Sequence, residues 1–169
     1  MANEPERMTV DLSVYPDLTV IYLGMRVNTL RGVKTLARLG PQINRAVAQK
    51  PDGLLLHENL YWSLFPLHAG MRQYWRDFGS LERWARALPH ATWWKEFLAD
   101  RGGTGFWHET YSRGGQMESV FVDMPPLGMT KFAPAEQARG SMFSARRRLG
   151  LDPAGAPAGV LTEDEVYKT

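Results

Sequence analysis

The side chains best suited to chemistry in this sequence are its four histidines, His57, His68, His90 and His108. Neutral imidazole is the commonest nitrogen ligand for metals and haem, and it exchanges protons near neutral pH. The 169 residues include no cysteine, which excludes disulfides, zinc–thiolate sites and thiol catalysis. The histidines are therefore the first candidates for a metal ligand or an acid–base group, although His68, beside Pro66 in a turn, is expected to be structural or exposed.

His90 follows Pro89 and precedes the pair Trp93 and Trp94, so it stands near a helix start among large aromatic side chains. An axial haem ligand requires one imidazole facing a wide apolar slot, with its second ring nitrogen held by an acceptor. His90 is therefore a candidate ligand of haem iron, with Trp93 and Trp94 as walls of the cofactor site. The alternatives are a histidine that packs near a helix start or contacts solvent, or one with another polar role in a pocket.

A second group of candidates lies in the run WHETY, residues 107–111. Alternation along a strand places His108 on one face and Trp107, Glu109 and Tyr111 on the other. If the second face lines a pocket, Glu109 is a buried acid suited to proton transfer, with Tyr111 beside it and Trp107 against a cofactor. If His108 faces the pocket, it is the candidate base. Alternation leaves both arrangements open, and an ordinary sheet pair is the structural alternative.

Polar side chains on the neighbouring predicted strands complete the candidate set: Tyr22, Arg26, Asn28, His57 and Asn59. Arg26 is a candidate catalytic residue, and the other four are candidate substrate-pocket residues. Arg72, on a later strand, could hold a carboxylate such as a haem propionate, because guanidinium and carboxylate groups match in geometry. The structural alternative for both arginines is an ion pair within the sheet.

Tryptophan is concentrated in the middle of the chain. The six indoles are Trp62, Trp75, Trp84, Trp93, Trp94 and Trp107. Because an indole is large and carries one N–H donor, this density is typical of a small core or of a pocket for a flat apolar ligand. We expect Trp62 and Trp84 to line the substrate pocket.

The candidates lie on elements predicted in the order β-α-β-β-α-β. Apolar runs bounded by turn residues predict strands over 18–27, 54–64, 69–76, 104–112 and 118–122, and helical periodicity predicts helices over 29–48, 80–88 and 90–98. Gly40-Pro41 is expected to kink or divide the first helix. Val33 and Leu88 are expected to face the core. Ser80 is expected to cap the second helix.

This order is the ferredoxin-like split βαβ of the α+β class. One such sheet leaves a face uncovered, and two copies packed sheet to sheet cover it, so we expect a homodimer with a dimeric α+β barrel. We expect residues 1–15 to form an N-terminal arm and 16–124 the ferredoxin-like domain. Residues 125–151 should form a C-terminal extension that packs on the body or on the dimer partner, and 152–169 a flexible tail.

Charge and motif content exclude several function classes. The net charge is +2, and acids are interleaved with the basic residues, so the cluster Arg146–Arg148 is interpreted as solvated rather than as a nucleic-acid site. Neither a phosphate loop, a GxGxxG string, a paired-histidine zinc motif nor a GxSxG elbow occurs, so nucleotide cofactors are not expected. With a polar, acidic start and no long apolar run, the chain is expected to be cytoplasmic, without a membrane partner.

Three strings carry a resemblance to a known family. They are LLLHENLYWSLFPLHAGMRQYWRDFGSLERWARALPHATWWKEF from residue 54, TGFWHETY from residue 104 and ESVFVDMPPLGM from residue 118. Over residues 8–149 the chain resembles a bacterial and fungal monooxygenase-like family, which includes an antibiotic-biosynthesis-type monooxygenase of the fumagillin pathway. That family is similar to the dimeric α+β barrel superfamily, which contains cofactor-free quinone-forming monooxygenases, haem-degrading enzymes, aldoxime dehydratases and a haem-containing carotenoid monooxygenase.

The run from Tyr74 to Leu81, followed by Trp84, Ala85 and Pro89-His90, is similar to the strand-to-helix region of several superfamily members. In the haem-binding members a histidine on or near the second helix ligates iron, and His90 is the matching position. The resemblance implies a monooxygenase-like enzyme of secondary metabolism that acts on a small-to-medium apolar or aromatic metabolite, with a haem-dependent version slightly preferred to a cofactor-free one. The alternatives are a haem-dependent dehydratase of the aldoxime type and a non-catalytic dimer that binds haem or a hydrophobic ligand.

Overall fold

The computed structural model describes residues 5–115, 117, 119, 121–122, 125–126, 128–150, 152, 154 and 162–167. Residues 17–112 form one compact unit, and the described residues of 1–16 and 113–169 form another. The elements in chain order are β1 (Arg7–Val10), β2 (Thr19–Val27), α1 (Leu30–Ala48), β3 (Leu54–Leu64), β4 (Leu67–Trp75), α2 (Phe78–Arg86), α3 (His90–Ala99), β5 (Thr104–Ser112), β6 (Phe121–Val122), β7 (Ala135–Gln137), α4 (Ala145–Arg148) and α5 (Glu163–Val166). Short 3₁₀ helices span Gly128–Lys131 and Gly140–Met142.

The unit of residues 17–112 is a ferredoxin-like α+β fold, which confirms the predicted fold class. Its antiparallel sheet has the strand order β3-β4-β2-β5, so the two strands that flank α1 in sequence are separated by β4. The side chains buried in this unit are mainly apolar and include Leu18, Met25, Met71, Trp75 and Leu81. Burying them is the main contribution to its stability.

Helix α1 is continuous from Leu30 to Ala48, so Gly40-Pro41 does not divide it into two helices. Pro41 has no backbone N–H and therefore cannot make its helical hydrogen bond. The helix continues because residues on both sides of Pro41 are buried on one packed face, namely Gly32, Leu39 and Ala46. Val33 is 47% exposed and does not face the core as predicted. The inward position belongs to Gly32, where a Cβ would lie 2.5 Å from the Gly103 carbonyl oxygen.

The N-cap of α2 is Asp77, not the predicted Ser80. Asp77 Oδ1 accepts from the Ser80 backbone N–H over 2.7 Å, while Ser80 is buried in the first turn and donates its hydroxyl to Asp77 Oδ2. Leu88 was expected on the inner face, but α2 ends at Arg86 and Leu88 is 79% exposed.

After α3, Gly102 and Gly103 take left-handed φ angles of 58° and 80°, a conformation that favours glycine, and lead into β5.

The other unit contains a separate sheet in the order β6-β1-β7. The predicted strand over 118–122 corresponds in part to β6, which pairs with β1 rather than with the larger sheet. The predicted arm therefore contains a strand, and the compact ferredoxin-like unit ends at Ser112. The expected tail over 152–169 lies largely outside the described residues. In the part of the chain that the structure describes, no helix is both long and apolar enough to cross a membrane.

Candidate functional site

A cavity of about 430 Å³ lies between the sheet and the helices of the 17–112 unit. Its sheet wall includes Leu23, Met25, Met71, Phe106 and His108, and its helix wall includes Leu39, Ile43, Leu81, His90, Trp93 and Trp94. The volume is typical of a small-molecule site, and the wall is mostly apolar with a few polar groups.

The period of the strands explains which side chains reach this cavity. Met71, Leu23 and His108 occupy one row across β4, β2 and β5, and residues two positions along each strand point the same way. Intervening residues such as Arg72, Tyr22 and Glu109 point to the other face. The structure thus places His108 on the cavity side, which decides between the two arrangements left open by the sequence.

His90 has a defined tautomer in the cavity wall. Its Nδ1 lies 2.8 Å from the carbonyl oxygen of Ala85, and a carbonyl oxygen can only accept, so Nδ1 carries the proton and donates. That carbonyl would ordinarily accept from the residue four positions later, but this residue is Pro89, which has no N–H. The lone pair on His90 Nε2 is therefore free to accept a hydrogen bond or bind a metal.

Burial beside aromatic side chains favours the neutral form of His90. Its ring centroid lies 4.9 Å from that of Trp84 and 6.1 Å from that of Trp93. Burial lowers the pKa of His90 below its ordinary value of 6.5, although the hydrogen bond to Ala85 acts in the opposite direction. Because a neutral imidazole is the form that coordinates metals, this environment suits a ligand role.

The opposite sheet face carries a row of polar residues. Arg72 Nε and Nη2 donate to Glu58 Oε2 over 3.1 and 2.5 Å, and Arg72 Nη1 donates to the Tyr22 hydroxyl over 3.2 Å. Farther along, the Tyr111 hydroxyl donates to Glu109 Oε2 over 2.6 Å. The sheet separates all five residues from His90, so Arg72 does not reach the cavity in which a haem propionate would lie.

Trp62 and Trp107 also lie on this opposite face. The Trp107 indole N–H donates to Nε2 of His68 over 2.8 Å, and Trp62 stacks on the His68 ring. The tryptophans predicted for the cofactor site and the substrate pocket therefore lie on two different sides of the sheet. Trp84, Trp93 and Trp94 line the cavity, whereas Trp62 and Trp107 do not. Sequence reasoning regarded His68 as a turn residue and did not connect it to Trp107, 39 positions away.

The remaining predicted residues lie outside the cavity wall. At the end of β2, Arg26 donates to Asn28 Oδ1 over 2.8 Å in an exposed pair. On β3, His57 Nδ1 lies 3.1 Å from Gln73 Nε2, and His57 Nε2 lies 3.3 Å from Asn59 Oδ1. Burial is the largest influence on His57, and the pKa of its imidazole is lowered.

Sequence reasoning missed Gln73 and Arg86. Gln73 is fully buried in the cavity wall, and its Oε1 accepts from the Trp75 indole over 3.1 Å. Arg86 is the basic side chain of the wall and donates to Glu82 Oε1 over 2.6 Å. The four-residue spacing of Glu82 and Arg86 predicts their ion pair. That the pair lines the cavity follows only from the position of α2 in the folded chain.

The fold and the cavity together define a ferredoxin-like α+β protein with an apolar cavity of small-molecule size. Residues 18–129, more than half of the chain, match the family described as Monooxygenase af470-like, and the chain belongs to that family. The resemblance predicted from the sequence is therefore confirmed. No curated protein matched the chain.

Two solved aldoxime dehydratases share the fold. An aldoxime dehydratase superposes with a TM-score of 0.62 at 21% identity, covering 85% of this chain and 43% of the dehydratase. A second aldoxime dehydratase, in complex with butyraldoxime, gives a TM-score of 0.59 at 22% identity, covering 86% of this chain and 43% of the other. A variant of SnoaB, a cofactor-independent oxygenase from Streptomyces nogalater, gives a TM-score of 0.41 at 16% identity, covering 59% of this chain and 96% of that one. The chain spans less than half the length of the two dehydratases.

Proposed function

We propose that this protein is a monooxygenase-like enzyme that acts on a small-to-medium apolar or aromatic metabolite, with a haem held by His90. The observation that carries the proposal is the orientation of His90, whose Nδ1 donates to Ala85 and whose Nε2 is free at the wall of an apolar cavity. A second ring nitrogen held by a carbonyl is the usual support of an axial imidazole.

The other residues of the wall fit a haem. Within the described residues, no group of three or more His, Asp or Glu side chains is placed to hold a metal ion, so a metal here would arrive in a prosthetic group that needs one protein ligand. Trp84 and Trp93 beside His90 offer apolar surface to a flat ring. Arg86 supplies a cation for a carboxylate, in the role that the sequence suggested for Arg72.

Bound haem would supply the chemistry of oxygen activation, while the chain positions the substrate and controls protons. Met71, Leu23 and Phe106 form the apolar surface against which a substrate packs. His108 lies in the same wall and is the candidate proton donor or acceptor for the substrate. Because His108 is exposed on the edge strand β5, it can exchange that proton with solvent.

The absorbance spectrum of the purified protein, before and after addition of haemin, tests the haem proposal. We expect a Soret band that shifts or disappears in His90→Ala and persists in His57→Ala, a matched control because His57 lies outside the cavity wall. A colourless protein that takes up no haemin would overturn the proposal.

The reaction is tested by oxygen uptake and product analysis with aromatic and terpenoid substrates. Substrate-dependent oxygen consumption with an oxygenated product supports the monooxygenase. Conversion of an aldoxime to a nitrile without dioxygen would instead identify a dehydratase of the aldoxime type. Tight ligand binding without any product would identify a binding protein.

We also propose that the protein works as a homodimer. Large aromatic side chains on the sheet and its β3–β4 hairpin are exposed, among them Tyr61, Trp62 and Tyr111. Contact with a second copy would remove this apolar surface from water. Sedimentation velocity measures the assembly directly, and a monomer at micromolar concentration would contradict the proposal.

A further inference from the structure

Near its C-terminal end, the chain lies against an arginine-rich surface of the compact unit to which that end belongs. The segment is TEDEVY, residues 162–167, and it contains α5. The surface consists of Arg7 on β1, Arg139 and Gly140 after β7, and Phe143, and it is here called the basic–aromatic surface. Basic and aromatic groups therefore meet an acidic segment of the same chain.

The carboxylate of Glu163 is held at both of its oxygens. Arg139 Nε donates to Glu163 Oε1 over 2.7 Å, and the Gly140 backbone N–H donates to Oε2 over 2.8 Å. The hydrogen bond from Arg139 is the largest influence on the pKa of Glu163 and lowers it, and the charge of Arg7 acts in the same direction. Two donors fix the orientation of the carboxylate, which a single surface ion pair does not do.

Tyr167 is bound by the same arginine. Arg139 Cζ lies 3.5 Å from the centroid of the Tyr167 ring, within the range of a cation–π interaction, and this ring meets Phe143 edge to face with centroids 6.4 Å apart. The Tyr167 backbone N–H donates to the Glu163 carbonyl over 3.0 Å and closes one helical turn, which places side chains four positions apart on the same side. One guanidinium thus contacts an acid and an aromatic ring at a defined spacing.

Arg7 offers a donor that the segment leaves unused. Arg7 Nη2 donates to the Phe143 carbonyl oxygen over 3.2 Å, and Arg7 Cζ lies 4.2 Å from the centroid of the Phe143 ring. Arg7 Nη1 is buried, and no described residue accepts a hydrogen bond from it. Because a buried donor without an acceptor is unfavourable, a peptide that places a further carboxylate here would bind more tightly than the chain's own segment.

The segment is held mainly by two side chains. Helix α5 is a single turn, which is not stable by itself. Thr162 and Asp164 are exposed, and Glu163 and Tyr167 are half-buried. The described part of the segment therefore has no fully buried residue, and it can leave the surface without exposing a hydrophobic core.

We propose that the basic–aromatic surface is a recognition site for acidic peptide segments that carry an aromatic residue four positions after a glutamate, and that residues 162–167 occupy it reversibly. The bound segment covers the arginines until a segment of the same chemistry, from a partner protein, displaces it. All of these residues lie outside the 17–112 unit, so the proposal does not depend on haem or on the cavity.

The test uses a fluorescein-labelled peptide, TEDEVYKT, titrated with the full chain and followed by fluorescence anisotropy. In the wild-type chain the attached segment competes with the peptide at an effective concentration of about a millimolar. Tyr167→Ala weakens this competitor, so we expect the variant to bind the peptide at least about tenfold more tightly than the wild type. Equal affinities, or no binding to Tyr167→Ala, would overturn the proposal.

Asp164→Asn is the matched control. It removes a charge from the same helical turn, but Asp164 is exposed and makes no hydrogen bond or ion pair with a described residue. We expect this variant to bind the peptide with the wild-type affinity. A gain as large as that of Tyr167→Ala would overturn the proposal, because it would show that loss of the segment's specific contacts is not the cause.

The recognition chemistry is tested from both sides in the Tyr167→Ala chain. Adding Arg139→Gln removes the guanidinium, and a peptide with the Glu163→Gln change removes its carboxylate partner. We expect each change to weaken peptide binding at least about tenfold. Unchanged affinity in either case would overturn the proposal, and the altered peptide keeps the test decisive should Arg139→Gln fail to fold by circular dichroism.

Discussion

His90 donates its Nδ1 proton to the carbonyl oxygen of Ala85 over 2.8 Å, and the two residues are joined by the end of α2 and Pro89. Pro89 leaves the carbonyl without its helical donor, and the next residue supplies the replacement. A local feature of the chain thus selects the tautomer of the side chain that faces the cavity, before any ligand is present.

The burial of His90 makes stability depend on pH. Burial lowers its folded-state pKa below the ordinary value of 6.5, so between these two values the unfolded chain binds a proton that the folded chain does not. The free energy of unfolding should therefore fall as the pH drops from 6.5 towards the folded-state pKa. Urea denaturation at several pH values should show a smaller fall in His90→Phe, and identical slopes in both proteins would contradict this account.

The Glu58–Arg72 pair should contribute measurably to stability, because its side chains are only 10% and 21% exposed. Glu58→Gln leaves the guanidinium half-buried without its counter-charge, and we expect a loss of about 2 kcal/mol in the free energy of unfolding. The matched control is Glu82→Gln in the exposed Glu82–Arg86 pair, for which about 0.3 kcal/mol is expected. Equal effects in the two variants, measured by urea denaturation, would refute the distinction.

Gly70 should tolerate no side chain. A Cβ there would lie 2.0 Å from the Leu23 carbonyl oxygen and 2.6 Å from Gly24 Cα, both on the neighbouring strand. Gly70→Ala must separate β2 and β4 locally, and we expect a loss of about 3 kcal/mol. Gly114→Ala is the control, since its Cβ meets nothing within 4 Å. A thermal midpoint of Gly70→Ala equal to that of the control would count against the packing described here.

Asp77 should stabilise α2 through its cap. Asp77→Ala leaves the Ser80 N–H without its acceptor, which typically costs about 1 kcal/mol. Asp77→Ser keeps a capping oxygen and should recover most of the loss. Chemical denaturation of the three proteins provides the measurement, and equal stability of the alanine and serine variants would argue against a capping role.

The secondary structure of the ferredoxin-like unit follows closely from local patterns. The runs at 54–64 and 104–112 correspond to β3 and β5, and the two glycines before β5 take the left-handed conformation that favours glycine. The two short helices that were one alternative for α1 do not occur, because local propensity at Pro41 was outweighed by the packing of Leu39 and Ala46 on either side of it. Propensity acts over a few residues, whereas such packing depends on distant parts of the chain.

By itself, the sequence determined the order of the elements, the family, the separation of His108 from Glu109 on opposite strand faces, and His90 as a histidine among tryptophans. Only the tertiary structure decided which strand face borders the cavity, and therefore that His108 lies with His90 while Arg72, Trp62 and Trp107 lie across the sheet. It also decided that His68 meets Trp107. The physical reason is that alternation along a strand has two equivalent solutions, and only the helices packed against one face of the sheet select between them.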